Sequence, residues 1–238
     1  MKIVISGYGK MGHEVERIAI SRGHEVMCHI DTELEWHANK EAVSKCDAVI
    51  EFSTPTTVIG NINKCFDLNV PVVVGTTGWY DSLAEIKKRC EDGGHTMFYA
   101  PNFSIGMNFV FQLNRQMARF ARQFGYEMEI SETHHIHKLD RPSGTAVKLA
   151  NDIIAENSNY KSWRLDEDGK NALKVNAIRK GEVFGIHEIK AISPCDSITL
   201  THEASSREGF ATGAVVAAEF LKGKTGVFTM DDLIEIRD

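Results

Sequence analysis

The chain has 238 residues, of which 42% are hydrophobic and 25% are charged, and its formal net charge is −6. This length suits one large domain or two small ones, and the composition is typical of a soluble globular protein. The negative charge argues against nucleic acid or an anionic membrane as the main partner. The sequence also has no apolar run long enough to span a bilayer.

The N-terminal residues and the cysteines bear on the compartment. The first residues, MKIVISGYGKMG, enter a strand pattern directly and lack the long apolar region of a secretory signal. The five cysteines are scattered and form no CxxC pair. Such cysteines are typical of reduced thiols, so we expect a cytoplasmic protein.

The first hundred residues alternate short apolar strands with helical segments. Strands are predicted at residues 2–6, 24–31, 47–52, 71–77 and 96–101. Their continuous apolar character favours a parallel sheet that is covered on both faces. We therefore predict a Rossmann-like α/β domain that binds a dinucleotide.

The pattern changes after Pro101. A long helix is predicted near residues 105–124, and then Tyr126, Met128 and Ile130 alternate with polar residues. Alternation indicates a sheet with one buried face, which is typical of an antiparallel or mixed sheet. We predict an α+β domain for substrate binding and oligomerisation over residues 105–208. The dinucleotide domain would cover residues 1–104 and be completed by the helical segment within residues 209–238.

Gly7, Gly9 and Gly12 form a G-x-G-x-x-G turn between the first strand and the first helix. Glycine allows a pyrophosphate to approach the backbone at the helix N-terminus. Asp31 ends the second predicted strand, where a carboxylate can accept hydrogen bonds from an adenosine ribose. The alternative is a structural glycine turn, with Asp31 as a simple strand cap. The GTTG stretch at residues 75–78 is open to the same two interpretations.

Residues 131–150, SETHHIHKLDRPSGTAVKLA, allow three interpretations: a metal site, a proton-transfer site or a solvated basic loop. If the strand continued, His135 and His137 would share one face and His134 would point away. No cysteine is nearby either, so a metal is disfavoured. Histidine exchanges protons near neutral pH. The N–H groups of Gly144 and Thr145 would begin a helix and bind an anion, capped by Ser143 or Thr145. Together with a lysine, these features favour a carboxylate substrate that is protonated during reduction.

This stretch resembles the E-x-H-H-x-x-K-x-D-x-P-S-G-T-A signature of the 4-hydroxy-tetrahydrodipicolinate reductase (dihydrodipicolinate reductase) family. The matching residues are Glu132, His134, His135, Lys138, Asp140, Pro142, Ser143, Gly144, Thr145 and Ala146. Further family motifs follow in order along the chain: the glycine turn, EFSTP, GTTG, APNFSIGMN, IRKGEVFGIHEI and SSREGFATGA.

The resemblance implies an enzyme of diaminopimelate and lysine biosynthesis that uses NADH or NADPH to reduce a small cyclic imine dicarboxylate to tetrahydrodipicolinate. It implies that His134 is the catalytic acid/base and Lys138 a second proton donor, with no metal. His135, Lys138, Gly144 and Thr145 would bind the substrate. The cofactor would contact Gly7, Tyr8, Gly9, Lys10, Met11, Gly12, Asp31, Gly75, Thr76, Thr77, Ala100, Pro101, Asn102 and Phe103. The family also assembles as homotetramers through the sheet of the second domain.

Asp31 predicts a preference for NADH, because its carboxylate repels the 2′-phosphate of NADPH. Thr32 stands where many family members carry an arginine, and Lys10 would retain some use of NADPH. Two other functions remain open. One is a related two-domain reductase such as an aspartate dehydrogenase, which should lack the HH-x-x-K and PSGTA run. The other is a non-catalytic NAD-sensing module, which would leave His134 and Lys138 without a role.

Overall fold

The computed structural model describes residues 1–234; the last four residues of the predicted segment 209–238 lie outside the described residues. The chain divides into two compact units. The first unit comprises residues 1–105 and the described part of 207–238, and the second unit comprises residues 106–206. Within residues 1–234, no helix is both long and apolar enough to cross a bilayer.

A parallel sheet of six strands forms the centre of the first unit, as predicted. The strands are β1 (Lys2–Ser6), β2 (Glu25–Ile30), β3 (Ala48–Glu51), β4 (Val72–Val74), β5 (Thr96–Tyr99) and β11 (Gly226–Phe228). Their order across the sheet is β11-β5-β4-β3-β1-β2. Every residue of β3 and β4 is buried, which explains why these strands are apolar without alternation. The strand β11, which has only three residues, was not predicted from the sequence pattern.

Helices cover both faces of this sheet. They are α1 (Lys10–Ser21), α2 (Glu33–Ala38), α3 (Lys40–Ser44), α4 (Val58–Asp67), α5 (Leu83–Asp92), α8 (Glu208–Phe220) and α9 (Met230–Leu233). Along β1, Ile3 and Ile5 belong to one buried cluster and Val4 belongs to another. The first cluster also contains residues of α1 and α8, and the second contains residues of α4 and α5. The late helix α8 is therefore part of the first unit's core.

The second unit is a mixed sheet packed against helices. It contains α6 (Ile105–Phe124), β6 (Glu127–His134), α7 (Gly144–Glu156), β7 (Ser162–Leu165), β8 (Ala172–Arg179), β9 (Gly185–Ile192) and β10 (Ser197–Ala204). The strand order is β10-β9-β6-β8-β7, in which β9 runs antiparallel to β6 and β10, and the β6, β8 and β7 strands are parallel. The predicted mixed sheet is confirmed.

Alternation along β6 determines which side chains are buried in the second unit. Met128, Ile130, Glu132 and His134 are buried, whereas the residues between them are exposed or half-buried. The apolar members of this face pack with α6, α7, β8 and β9. The same face therefore carries the apolar core at one end of β6 and two ionisable groups at the other.

Candidate active site

The glycine turn of the first unit is fixed by close backbone packing. Gly7 has a φ of +89°, and its N–H donates to the carbonyl oxygen of Ile30 at 2.8 Å. A Cβ at Gly7 would lie 2.3 Å from the carbonyl oxygen of Phe52, so no other residue fits this position. Gly9 then caps α1 without a side-chain hydrogen bond, and the first turn of α1 has no acidic residue. This helix N-terminus suits the pyrophosphate of a dinucleotide.

Asp31 lies beside the glycine turn, directly after β2 rather than within it. Its Oδ1 accepts a hydrogen bond from the backbone N–H of Tyr8 at 2.6 Å. The ring of Tyr8 stacks on His29 with 4.0 Å between ring centroids, and its hydroxyl donates to Glu16. The structure thus brings two predicted cofactor residues, Asp31 and Tyr8, into direct contact.

The other predicted cofactor residues follow β4 and β5 at the carboxyl edge of the same sheet. They are Gly75, Thr76, Thr77, Ala100, Pro101, Asn102 and Phe103. The indole N–H of Trp79 donates to the carbonyl oxygen of Thr76 at 2.8 Å and closes the GTTG turn. The side chains of Ala100 and Phe103 are buried in the core of the first unit. A ligand at these two positions would therefore meet backbone atoms.

In the second unit, β6 ends at His134, and His135 to Lys138 form a turn. The N–H of Lys138 donates to the carbonyl oxygen of His135 at 3.2 Å. The condition under which His135 and His137 would share a strand face is therefore not met, because the strand ends at His134. His137 is exposed and lies 3.2 Å from the carboxylate of Glu182.

Lys138 and Asp140 form an ion pair at the start of α7, with 2.9 Å between Nζ and Oδ1. Burial opposes ionisation of Asp140, but hydrogen bonds from Lys138 and from the backbone N–H of Gly144 hold its pKa below the usual range. Ser143 caps α7 through a hydrogen bond from the N–H of Ala146 at 3.2 Å. Lys138, one of the predicted substrate-binding residues, thus already pairs with a carboxylate, and the backbone N–H of Gly144 helps to lower the pKa of that carboxyl group.

His134 is 7% exposed and faces a carboxylate that is fully buried. Its Nδ1 contacts Oε2 of Glu132, and Oε1 of Glu132 lies 3.1 Å from Nη2 of Arg179. Burial by itself raises the pKa of Glu132, but His134 and Arg179 outweigh it and lower the pKa to about 2. Glu132 is therefore ionised at neutral pH.

A second buried histidine, His187 on β9, packs against His134 edge to face with 5.1 Å between ring centroids. Its Nε2 lies 3.3 Å from Oγ of Ser143. Burial, and then the neighbouring His134, lower the pKa of His187 to about 3, so this ring is neutral at neutral pH. Gly185 on β9 lies close to His134, and a Cβ there would be 3.0 Å from Nε2 of His134, which is tighter than an ordinary contact.

Glu132, His134 and His187 also have the spacing of a metal site, since their ligand atoms lie within 4.8 Å of one another. This cluster was not predicted from the sequence, because the metal interpretation considered only the three histidines at positions 134, 135 and 137, and not Glu132 or His187. The guanidinium of Arg179, 3.1 Å from Glu132, disfavours a cation at this position. The absence of a metal remains a prediction, which activity in the presence of a chelator would test.

Three neighbours of His134 were not predicted as functional residues: Glu132, Arg179 and His187. Glu132 could have been found from the strand period, because it lies two residues before His134 on β6 and therefore on the same face. Arg179 and His187 come from β8 and β9, and their approach depends on a strand register that the sequence pattern does not give.

Comparisons with known proteins agree with this architecture. The model for the dihydrodipicolinate reductase N-terminus matches residues 1–103, and the model for the C-terminus matches residues 106–234. A 4-hydroxy-tetrahydrodipicolinate reductase from Christiangramia forsetii is 43% identical over 235 residues, which cover 98% of each chain. One from Methanopyrus kandleri is 37% identical over 196 residues, which cover 79% of this chain and 71% of the relative.

A solved structure of dipicolinate-bound dihydrodipicolinate reductase from Paenisporosarcina has the same fold. It superposes with a TM-score of 0.80, covers 98% of this chain and 99% of its own chain, and is 22% identical. A diaminopimelate dehydrogenase from C. glutamicum is more distant, with a TM-score of 0.54 and 13% identity over 100% of this chain and 96% of its own. Given the matches to both family models and to the full-length relatives, the chain belongs to the dihydrodipicolinate reductase family.

Proposed function

We propose that this chain is a 4-hydroxy-tetrahydrodipicolinate reductase, which uses NADH or NADPH to reduce a cyclic imine dicarboxylate to tetrahydrodipicolinate in diaminopimelate and lysine biosynthesis. The full-length relatives that carry this name support the activity. The observation that supports the substrate class is the Asp140 carboxylate, which lies 2.9 Å from Lys138. It also interacts with the N–H of Gly144.

The contacts of Asp140 indicate what this group of residues can hold. A lysine ammonium and a helix N-terminal N–H together form a seat for a carboxylate, and here the chain's own Asp140 occupies it. We propose that a substrate carboxylate takes this position, with His135 and Thr145 as further contacts. The seat then selects an anionic substrate, as a dicarboxylate reductase requires.

The proton chemistry is assigned to His134 and Lys138. When bound, NADH or NADPH supplies the hydride. The 4-hydroxyl group of the substrate leaves as water before or during the reduction. The conjugated imine gains one hydride and one proton, and we assign this proton to the imidazolium of His134. After the transfer His134 is neutral and recovers its proton from water, while Lys138 balances the substrate carboxylate and serves as a second proton donor.

A coupled assay tests this activity. The condensation product of pyruvate and aspartate semialdehyde is formed by an aldolase-type enzyme, and loss of NADH or NADPH is followed at 340 nm after the chain is added. We expect oxidation of the cofactor that depends on both the product and the chain. No oxidation with either cofactor would contradict the proposed function.

NADH is proposed as the preferred cofactor. The support is Asp31, whose carboxylate lies at the glycine turn through its bond with Tyr8. A carboxylate there accepts from the ribose 2′-hydroxyl of NADH and repels the 2′-phosphate of NADPH. We expect kcat/KM to favour NADH in the wild type, and Asp31→Ala to shift the ratio towards NADPH. An unchanged ratio would remove the proposed role of Asp31.

We further propose that the first unit binds the dinucleotide and that the second unit binds the substrate and assembles into a homotetramer. The support for assembly is the face of the second sheet opposite its core, which is half-buried and carries Ser131, Thr133, Asn176, Ile186 and Glu188. Light scattering should give four times the 26.6 kDa chain mass. The five free cysteines are consistent with a reducing compartment, and we propose the cytoplasm.

A further inference from the structure

Glu132 is the most completely buried acidic group of the second unit's site, with no exposed surface. Carboxylates are almost never fully buried unless they are paired, because an unpaired buried charge is costly. The contacts of Glu132 must therefore be strong enough to outweigh the free-energy cost of burying its charge. They also identify the groups that this carboxylate can position.

Glu132 contacts three groups of the second unit, one at the end of its own strand and one on each of two other segments. Its Oε1 accepts from the backbone N–H of Ser143 at 3.1 Å and from Nη2 of Arg179 at 3.1 Å. Its Oε2 contacts Nδ1 of His134. One side chain on β6 thus connects the end of its own strand, the N-cap of α7 and the end of β8.

An ionised carboxylate accepts hydrogen bonds but cannot donate them. Nδ1 is the ring nitrogen of His134 that contacts Oε2 of Glu132. The two atoms are not aligned as a hydrogen bond in this structure, and we infer from their proximity that Nδ1 carries a hydrogen beside the ionised carboxylate even when the ring is neutral. The neutral ring then has its proton on Nδ1, and Nε2 is the nitrogen that gains and releases a proton. Nε2 is the atom that lies on the side of Gly185.

We propose that Glu132 is a positioning residue that sets the tautomer of His134 and, through Ser143, fixes the start of α7. This inference rests on the proposed function, in which His134 exchanges the proton and Gly144 and Thr145 hold a substrate carboxylate. The buried carboxylate of Glu132 then positions both the proton donor, His134, and the N-terminus of α7, which is proposed to bind the substrate carboxylate. Arg179 and His187 complete the arrangement, because Arg179 neutralises Glu132 and His187 contacts both His134 and Ser143.

Nuclear magnetic resonance tests the tautomer without any need for turnover. Long-range ¹H–¹⁵N correlations of the imidazole, assigned with the variant His134→Gln, report which nitrogen carries the proton when the ring is neutral. We expect the Nδ1–H form in the wild type and its partial loss in Glu132→Gln, since an amide can either donate or accept. A wild-type ring with its proton on Nε2 would overturn the proposal.

Kinetics test the same role in catalysis. We expect Glu132→Gln to lower kcat by roughly tenfold to a hundredfold, as for other partners that orient a functional imidazole. The pH at which kcat falls to half should move to a lower value, because a neutral amide stabilises the imidazolium less. Arg179 contacts Glu132 and His187 packs against His134, and His202 and Lys138 act electrostatically on His187. All four groups stay in place in this variant.

Two further variants separate this role from a purely structural one. Glu132→Asp keeps the charge and should retain the Nδ1–H form with a smaller loss of kcat. Glu167→Gln makes the same chemical change at an exposed position and should behave as the wild type. If Glu132→Gln does not fold, the wild type and Glu132→Asp still decide the question. Wild-type kcat and pH profile in a folded Glu132→Gln would overturn the proposal.

Failure of the inference can be told apart from failure of the proposed function. If the wild type does not oxidise NADH or NADPH in the coupled assay, the function fails whatever the tautomer. If the wild type is active but its neutral His134 carries the proton on Nε2, only the role of Glu132 fails. Metal dependence is a third outcome: loss of activity with a chelator and its recovery with zinc would overturn both roles, because Glu132 and His134 would then be ligands.

Discussion

Different interactions stabilise the glycine turn of the first unit and the His134 cluster of the second unit, which consists of His134, Glu132, Arg179 and His187. In the first unit, Gly7 lies so close to Phe52 that a Cβ would be 2.3 Å from its carbonyl oxygen. In the second unit, a buried ion pair and a neutral imidazole surround His134. The first arrangement depends on the absence of side chains, and the second depends on buried charge.

This difference predicts which property of the enzyme a substitution in each unit should change. Backbone packing determines shape, so changes in the glycine turn should alter cofactor affinity. Buried charges determine protonation and orientation, so changes around His134 should alter the rate of the chemical step and the response to pH. Four variants test whether these two sensitivities are separate.

His134→Gln should have the largest effect. Glutamine keeps some hydrogen bonding but cannot transfer the proton, and a positioned proton donor typically contributes about 10²–10⁴-fold to rate. We expect kcat to fall by roughly that factor while the Kd for NADH stays unchanged. Steady-state kinetics and a cofactor titration measure the two quantities. The matched control is His137→Gln, because His137 is exposed and its ring lies near Glu182 and the ring of His135 rather than near Glu132. A similar loss in the control would contradict the assignment.

Lys138→Met should come next. The change removes the cation that pairs with Asp140, and with it the proposed partner of the substrate carboxylate. A charge-assisted hydrogen bond is worth about 1.5–3 kcal/mol, so we expect KM to rise by roughly tenfold to a hundredfold along with a loss of kcat. Lys161→Met, at an exposed lysine of the same unit, is the control. An unchanged KM would show that the carboxylate seat lies elsewhere.

Gly7→Ala tests the glycine turn of the first unit. The Cβ would meet the Phe52 carbonyl, and alanine would adopt a φ of +89°, at a cost of about 1–3 kcal/mol. We expect roughly tenfold weaker NADH binding and a lower Tm, but little change of kcat at saturating cofactor. Gly60→Ala is the control, because nothing lies within 4 Å of the added atom. If kcat fell instead of affinity, the two units would not be separately sensitive.

His187→Gln should have the smallest effect, which appears as a change in pH dependence. The pKa of His187 is lowered to about 3, whereas an unfolded histidine has a pKa of about 6.5. Between these values only the unfolded chain binds the proton, so the stability of the second unit falls as the pH falls from about 6.5. The slope is at most about 1.4 kcal/mol per pH unit.

Urea unfolding of the wild type and His187→Gln between pH 7 and pH 5 measures this slope. We expect a shallower decline in the variant. Glu132 does not interfere in this range, because its stabilisation is lost only below about pH 4.5, as the pH falls towards its folded pKa of about 2. Equal slopes in the two proteins would mean that His187 is protonated in the folded state.

Much of this arrangement could be predicted from the sequence, for identifiable reasons. Continuous apolar runs predicted the parallel sheet, because strands that are buried on both faces are apolar throughout. Alternation after Pro101 predicted the mixed sheet, because strands that are buried on one face alternate apolar and polar residues. The signature around His134 predicted which residues to test. The strands β11 and β7 were missed. The strand β4 is as short as β11 but consists of three valines, whereas β11 and β7 have only two large apolar residues each and resemble loops.

The partners of His134 could be predicted only in part. Glu132 shares its strand and its face, so the strand period was sufficient. Arg179 and His187 are 45 and 53 positions further along the chain from His134, and they approach because β8 and β9 flank β6 in one register. Likewise, the turn after His134 is set by contacts at the end of the sheet, so the sequence pattern alone did not show where this strand ends.

The pairing of β11 with β5 has a consequence for synthesis on the ribosome. The second unit is one continuous segment, so all of its residues are translated before α8. The sheet of the first unit is complete only when Gly226–Phe228 has emerged and added its strand beside Thr96–Tyr99. Nascent chains commonly fold from the N-terminus onwards. In this protein the N-terminal unit is instead the last to finish, and chaperones would meet its open β5 edge for the whole time that the second unit is made.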